Sequence, residues 1–320
     1  MEIDMNENLK LLSVVIPCFN EADGIPTLVE RLLAMKQGLA DVTNVEFIFV
    51  DDHSTDTTPQ MLTELSTRFD FVKFLRLSKN SGSHIAIIAG MAHSKGDAAV
   101  FLAADLQDPP EMIGSMFAKW KEGFDVVWAV RQERLGVSKT SLFFSRMFYY
   151  FLNRMTNMKF PSQGADYALI DRRVMKGLVD SAGSKPSLVA LIVWLGFKQI
   201  ELPYVKEERK FGVSKWNLSK KLNAFADAFV GFSYFPMRFM SMMGFVAAFI
   251  GFLYAIFVIV MRFVVGDPIE GWASLMVVIL IIGGLQMLML GVLGEYLWRN
   301  LEESRKRPLF LIEDQKGIEQ

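Results

Sequence analysis

Residues 12–36, LSVVIPCFNEADGIPTLVERLLAMK, decide the fold. Leu12 to Ile16 is a short apolar run, of strand length and too short for a helix. It stops at Pro17-Cys18-Phe19-Asn20-Glu21, where turn-forming and polar residues take over. From Gly24 to Lys36 the period changes, and Ile25, Leu28, Leu32 and Met35 recur at helical spacing. A continuous apolar strand followed by an amphipathic helix is the unit of a parallel sheet covered on both faces.

The unit repeats downstream. Val45 to Val50 reads as a second strand, and Pro59 to Phe69 as a helix with its proline in the first turn. Phe71 to Leu77, Ala98 to Ala103 and Val126 to Val130 are further strands. The order predicts an α/β domain with a Rossmann-like, mostly parallel sheet, whose ligands bind beyond the C-terminal strand ends. The second strand ends in Asp51-Asp52-His53-Ser54-Thr55-Asp56, and that at 98–103 in Ala104-Asp105-Leu106-Gln107-Asp108. Asp, Ser and Asn also make turns and caps, so a single cluster carries little weight. Three in succession along one sheet edge point to a binding site. No GxGxxG follows the first strand, and GxxxxGK[ST] is absent, so the usual dinucleotide and P-loop cradles are missing. Phosphate charge would then need a metal and side-chain cations. Asp105 beside Gln107 suits a hard divalent ion, Mg²⁺ or Mn²⁺.

A net charge of −1 over 320 residues gives no indication of a nucleic-acid partner. The single cysteine, Cys18, rules out an intrachain disulfide and fits a reducing compartment. The N-terminal MEIDMNENLK is acidic and polar and does not read as a signal peptide. The apolar excess is concentrated late. Phe239 to Met261 and Gly271 to Gly294 carry no charged residue. Each is long enough to cross a hydrocarbon core of about 30 Å at about 1.5 Å per helical residue. The competing reading is a pair of buried core helices.

The loop between the runs holds Arg262 against Asp267 and Glu270, whereas the outer flanks carry Lys215, Lys220, Lys221 and Arg238 before, and Arg299, Arg305, Lys306 and Arg307 after. The positive-inside bias predicts a multi-pass protein of the inner membrane with its large domain in the cytoplasm. The expected divisions are a catalytic domain over 1–215, a juxtamembrane amphipathic helix over 216–236, a two-helix anchor over 237–298 and a cytoplasmic tail over 299–320. Ser141 to Phe160 and Trp216 to Phe235 are aromatic and partly basic, as headgroup-layer helices are; for the first, a core helix is the alternative. Gln286, Gly283, Gly284, Gly291 and Gly294 suit helix association within the bilayer.

Val15 to Glu21, Val50 to Thr57 and Ala104 to Glu111 together resemble the inverting GT-A glycosyltransferases of family 2. Gly291-Val292-Leu293-Gly294-Glu295-Tyr296-Leu297, followed by Glu302 to Pro308, is similar to the two-span polyprenyl-phosphate glycosyltransferases, with the bactoprenol glucosyltransferases nearest and dolichol-phosphate mannose synthase more distant. The resemblance runs from about residue 12 to residue 310. It implies transfer of one sugar from a nucleotide diphosphate sugar, UDP-linked, to polyprenyl (undecaprenyl) phosphate at the membrane, and a homo-oligomer.

By residue, the resemblance implies that Pro17, Phe19 and Glu21 hold the nucleotide base and ribose and that Asp52 contacts the base. Asp105 and Gln107 bind the metal. Asp166, in Gly164 to Arg172, acts catalytically near the acceptor. Arg131 and the Arg209, Ser214 and Lys215 of Glu208 to Trp216 hold phosphate oxygens. Asp171 and Arg172 read as a structural pair. Two positions depart from the family: Ala103 stands where its first Asp-x-Asp carboxylate is expected, and Ala168 where it has an arginine. These motivate the alternative of a non-catalytic membrane scaffold. A processive polysaccharide synthase is disfavoured by the missing Gln-x-x-Arg-Trp motif.

Overall fold

The structure, a computed structural model, describes residues 9–131, 160–161, 165–183, 187–207, 235–265 and 271–318. It divides into two compact units, Met1–Phe225 with Pro308–Gln320, and Ala226–Arg307.

The first unit is built on one eight-stranded sheet. In chain order its elements are β1 (Leu11–Cys18), α1 (Ile25–Gly38), β2 (Asn44–Asp51), α2 (Thr58–Arg68), β3 (Val72–Leu77), α3 (Ser83–Ala92) and β4 (Ala98–Phe101). There follow a 3₁₀ turn (Pro110–Met112), α4 (Ile113–Lys121), β5 (Val126–Arg131), β6 (Ala165–Asp171), α5 (Arg172–Ser181), α6 (Leu188–Trp194) and β7 (Gln199–Tyr204). The strand order is β7-β5-β6-β4-β1-β2-β3-β8, where β8 is Ile312–Lys316. β1 is parallel to β2 and β4, β2 to β3, and β5 to β7. β6 runs antiparallel to both β4 and β5, and β8 antiparallel to β3.

The predicted strands form with small changes of boundary. The one expected over 98–103 stops at Phe101, because the chain then leaves the ladder to make a turn. Pro17, which has no N–H to give, stands beyond Val15–Phe101, the last pair between β1 and β4, so no ladder bond on that side is lost. β8 lies in the segment read as a tail; instead of trailing, it closes the sheet beside β3. α3 (SHIAIIAGMA) gave no helical period because Ala86 to Met91 are all buried. Its fit is close. A Cβ on Gly90 would lie 2.4 Å from Val15 Cγ1 and 3.0 Å from Val50 Cγ2, so helix backbone rests directly on β1 and β2. Gly90→Ala is therefore expected to destabilise the chain by about 1–3 kcal/mol through overpacking, read as a lower melting temperature of the purified protein.

Asp171 and Arg172 are not paired with each other. Asp171 caps α5, accepting from Arg173 N at 2.9 Å, and bonds Arg173 Nε at 3.1 Å and Trp120 Nε1 at 2.9 Å. Arg172 donates to the carbonyls of Lys95 and Gly96. The i+2 cation reaches the cap because the helix turns it back over the Asp171 side chain, whereas Arg172 points across to the β4 entrance.

The second unit contains α7 (Phe235–Val265) and α8 (Trp272–Ser304). Stretches of mean hydropathy 2.6 (Phe239–Met261) and 2.4 (Val277–Ser304) are long and apolar enough to cross a membrane, and neither is buried by protein. Phe245, Phe249, Phe252, Leu253, Ile281 and Met287 are all half-exposed or more, the opposite of a core helix. Helices apolar on every side need an apolar surround. Gly244 lies against Met289 of α8, while the space beside Gly283, Gly284, Gly291 and Gly294 is open. Most of 141–160, and 216–234, lie outside the described residues.

Candidate active site

β1 to β5 and β7 all end on one edge of the sheet, and the antiparallel β6 begins there. That edge therefore gathers Pro17, Phe19 and Glu21 after β1, Asp52 after β2, Asp105 and Gln107 after β4, Arg131 at the end of β5 and Asp166 near the start of β6. Arg209, Ser214 and Lys215 lie outside the described residues.

The loops after β1 and β2 are bolted together. Asn20, in the left-handed region at φ 53°, donates its N–H to Ser54 Oγ at 2.9 Å, and its Oδ1 accepts from Thr55 N at 2.8 Å. Glu21 N donates to Thr58 Oγ1 at 3.0 Å, and Ala22 N to Asp56 Oδ2 at 3.3 Å. Burial alone would raise the Asp56 carboxyl, but bonds from Thr58 and Ala22 outweigh it and hold the group below the usual range. The first cluster is thus placed by the second.

Asp52 is 3% exposed, and its two oxygens accept from Ser81 N at 2.6 Å and Gly82 N at 2.8 Å. It ties the turn after β2 to the loop leading into α3. Burial raises its carboxyl above the usual range, and these two bonds only partly offset the rise. Asp51, fully buried, is raised for the same reason, with Ser54 and Arg76 opposing. A raised folded-state value means that the native chain holds a proton the unfolded chain has released. The stability associated with each group is thus present at low pH and lost as pH rises through its raised value. Asp52→Asn is expected to flatten that part of the dependence of melting temperature on pH as pH rises above the ordinary carboxylate range. It should also destabilise by about 1–3 kcal/mol, because an amide cannot accept both N–H groups.

After β4 the chain makes a constrained turn. Leu102 N donates to Val15 O at 2.9 Å, and Leu106 sits at φ 59°. Burial alternates: Leu106 is 1% and Asp108 2% exposed, while Ala103, Asp105 and Gln107 stay partly accessible. Asp105 Oδ1 accepts from Gln107 N at 3.2 Å, an Asx-type turn that sets the two side chains on one accessible face. The buried Asp108 accepts from Tyr204 Oη at 2.7 Å and lies 3.4 Å from Lys206 Nζ. Glu207 N donates to Gln107 O at 2.9 Å. Arg31 of α1 forks between Glu111 and Glu207, both at 2.7 Å, and the bond to Glu111 above all raises its guanidinium further. The turn is therefore held from α1 and from the exit of β7, the strand that leads into the basic segment at 208–215. These holding residues were hidden in the sequence, since Arg31, Tyr204 and Lys206 lie far from 105–108 along the chain.

A carboxylate and a carboxamide two residues apart form a hard-oxygen pair. Among the described residues no group of three His, Cys, Asp or Glu side chains makes a closed cage. The pair fits an ion of the Mg²⁺ or Mn²⁺ type, which keeps waters and takes phosphate oxygens to complete its shell.

Residues 13–179 match the glycosyl transferase family 2. The chain is 37% identical over 308 residues to an uncharacterized glycosyltransferase of Synechocystis sp., spanning 96% of each chain. It is 32% identical over 305 residues to the bactoprenol glucosyl transferase of Shigella phage SfV, spanning 95% of this chain and 99% of that one. Among solved structures, a mannosyltransferase from Pyrobaculum calidifontis with GDP-mannose and Mn²⁺ superposes with a TM-score of 0.48 at 20% identity, over 69% of this chain and 62% of that one. The family match over more than half of the chain and the relatives matched along nearly their whole length agree: the chain belongs to glycosyl transferase family 2 and is a glycosyltransferase.

Proposed function

We propose that the protein transfers one sugar from a nucleotide diphosphate sugar, UDP-linked, to polyprenyl (undecaprenyl) phosphate at the cytoplasmic face of the inner membrane, with inversion at the anomeric carbon. The observation that carries this reading is the joining, in one chain, of an acidic strand-end site with two bilayer-length helices. The 32% identity with phage bactoprenol glucosyl transferases supports the acceptor. The cationic outer flanks of the two helices support the cytoplasmic side.

In this reading Pro17, Phe19 and Glu21 surround the nucleoside, with Asp52 fixing the loop against its base. Asp105 and Gln107 hold a divalent cation, which when bound neutralises charge on the leaving diphosphate. The lipid phosphate is already an anion and needs placement more than activation. Arg131, Arg209, Ser214 and Lys215 bind its oxygens, and Asp166 orients it or accepts a residual proton. An acceptor phosphate oxygen bonds to the anomeric carbon as the bond from that carbon to the donor diphosphate breaks. The electron pair leaves with the nucleoside diphosphate.

The test is a membrane-fraction assay with short-chain polyprenyl phosphate, Mn²⁺ or Mg²⁺, and a panel of labelled nucleotide sugars. Label extracted into the lipid phase only when polyprenyl phosphate is added is the expected result. Label passing to a water-soluble acceptor, with none in lipid, would overturn the acceptor.

A further inference from the structure

The turn that carries Asp52 is fastened by the far end of the chain. Arg76, on β3, reaches in three directions. Its Nη1 lies 3.2 Å from Asp51 Oδ2, its Nη2 donates to the Ser54 carbonyl at 3.3 Å, and its Nε donates to Glu313 Oε2 at 2.8 Å. The same Glu313 oxygen lies 3.4 Å from His53 Nδ1. His53 occupies the left-handed region at φ 62°, and its Nδ1 also faces the Leu77 carbonyl at 3.2 Å. Every residue of the turn from Asp51 to Ser54, except Asp52 itself, thus touches Arg76 or Glu313. Asp52 is held by the next loop along.

Glu313 is placed there by an irregularity in the ladder. Arg76 is opposite Asp314, and Leu77 is opposite Ile312, so Glu313 is the extra residue of a bulge in β8. A bulge re-aims a side chain at the cost of a ladder pair and recurs beside functional sites. In a regular strand Glu313 and Asp314 would point to opposite faces. Here the bulge turns Glu313 onto the Arg76 guanidinium. The flanks secure the register: Ser78 N donates to Leu311 O at 2.9 Å, and Phe310 meets the His93 ring at 6.1 Å. In sequence, β8 follows α8, with residues 305–311 joining them.

We propose that Glu313 and Arg76 are positioning residues for the nucleotide-sugar donor. β8 clamps the Asp51–Ser54 turn, so donor affinity depends on a strand made only after both apolar helices. The proposal rests on the donor-site reading above. Neither residue touches the reacting atoms. The Glu313 side chain is 48% exposed, so its pair with Arg76 adds little to global stability and acts on the local order of the turn. Arg76 weighs more, because Asp51, with no exposed side-chain surface, loses its cation when Arg76 is removed.

The experiment uses the full-length protein in detergent. Donor KM and kcat are measured with the donor found active, and calorimetric titration with UDP and GDP in Mn²⁺ gives affinity directly. Glu313→Ala is expected to weaken nucleotide binding and raise donor KM about fivefold, with kcat and melting temperature nearly unchanged. Arg76→Ala should do so about twentyfold, Arg76→Lys should recover part of the loss, and Asp314→Ala, the adjacent carboxylate, should behave as wild type. Wild-type binding with unchanged affinity in Glu313→Ala and Arg76→Ala would overturn the clamp and leave the donor site standing. A wild-type protein that binds neither nucleotide and uses no donor would overturn both. Should Arg76→Ala fail to fold, the exposed Glu313 still decides the matter.

Discussion

Asp105→Ala is expected to reduce sugar transfer on the order of 10²–10³-fold, the usual effect of removing one preorganised group that stabilises developing charge. The reason lies in what surrounds it. The sequence has neither a GxGxxG after β1 nor a GxxxxGK[ST] to present backbone N–H groups to a diphosphate, and Ala103 leaves Asp105 as the carboxylate on the accessible face of the turn after β4. Alanine also removes the acceptor for Gln107 N, so part of its effect would be misplacement of Gln107. Asp105→Asn separates the two causes, since an amide oxygen still accepts that bond but carries no charge. Both variants are expected to lose activity, with Asn retaining the wild-type melting temperature. Initial rates of labelled-lipid formation over a range of Mn²⁺ concentrations decide it. A wild-type rate for Asp105→Asn throughout that range would remove Asp105 from the donor site.

The largest effect on stability is expected at the opposite end of the sheet. Glu46, 5% exposed on β2, accepts from Ser13 Oγ, from Lys73 Nζ and, at 2.8 Å, from Lys95 N. Lys73 itself is only 7% exposed. Glu46→Ala leaves a buried ammonium and two further donors without their acceptor, a loss of about 3–5 kcal/mol. At roughly 2–4 °C per kcal/mol for a domain of this size, the melting temperature should fall by about 6–20 °C. The double variant Glu46→Leu with Lys73→Met removes the stranded charge and should regain most of that loss. Donor KM of any folded Glu46 variant should stay at the wild-type value, because this network sits where the strands begin and the site where they end. A fall of less than about 2 °C for Glu46→Ala would mean that Lys73 reaches water without it.

The contrast between these two positions shows what was legible. Asp105 could be picked out because three polar clusters each follow an apolar strand, and strand direction alone puts them on one edge. Glu46 could not, because a single Glu inside Asn44–Asp51 reads as an interruption until Ser13 and Lys73 are found beside it on neighbouring strands. The same holds for Arg31, Tyr204 and Lys206, which hold the Asp105 turn through contacts between residues distant along the chain. β8 was missed for a related cause. IEDQK is short and polar, and only the free edge of β3 makes it a strand.

Apolar period and run length by themselves determined the parallel α/β plan and the two bilayer-length helices, because burial and chain geometry act on neighbouring residues. The strand-end motifs likewise fixed the family. Which strand lies beside which, the reversal of β6 that brings Asp166 to the acidic edge, and the return of the C-terminal segment onto β3 were decided only by the tertiary structure. Those are pairings between distant segments, and their hydrogen bonds and charges find their partners only once the sheet is assembled.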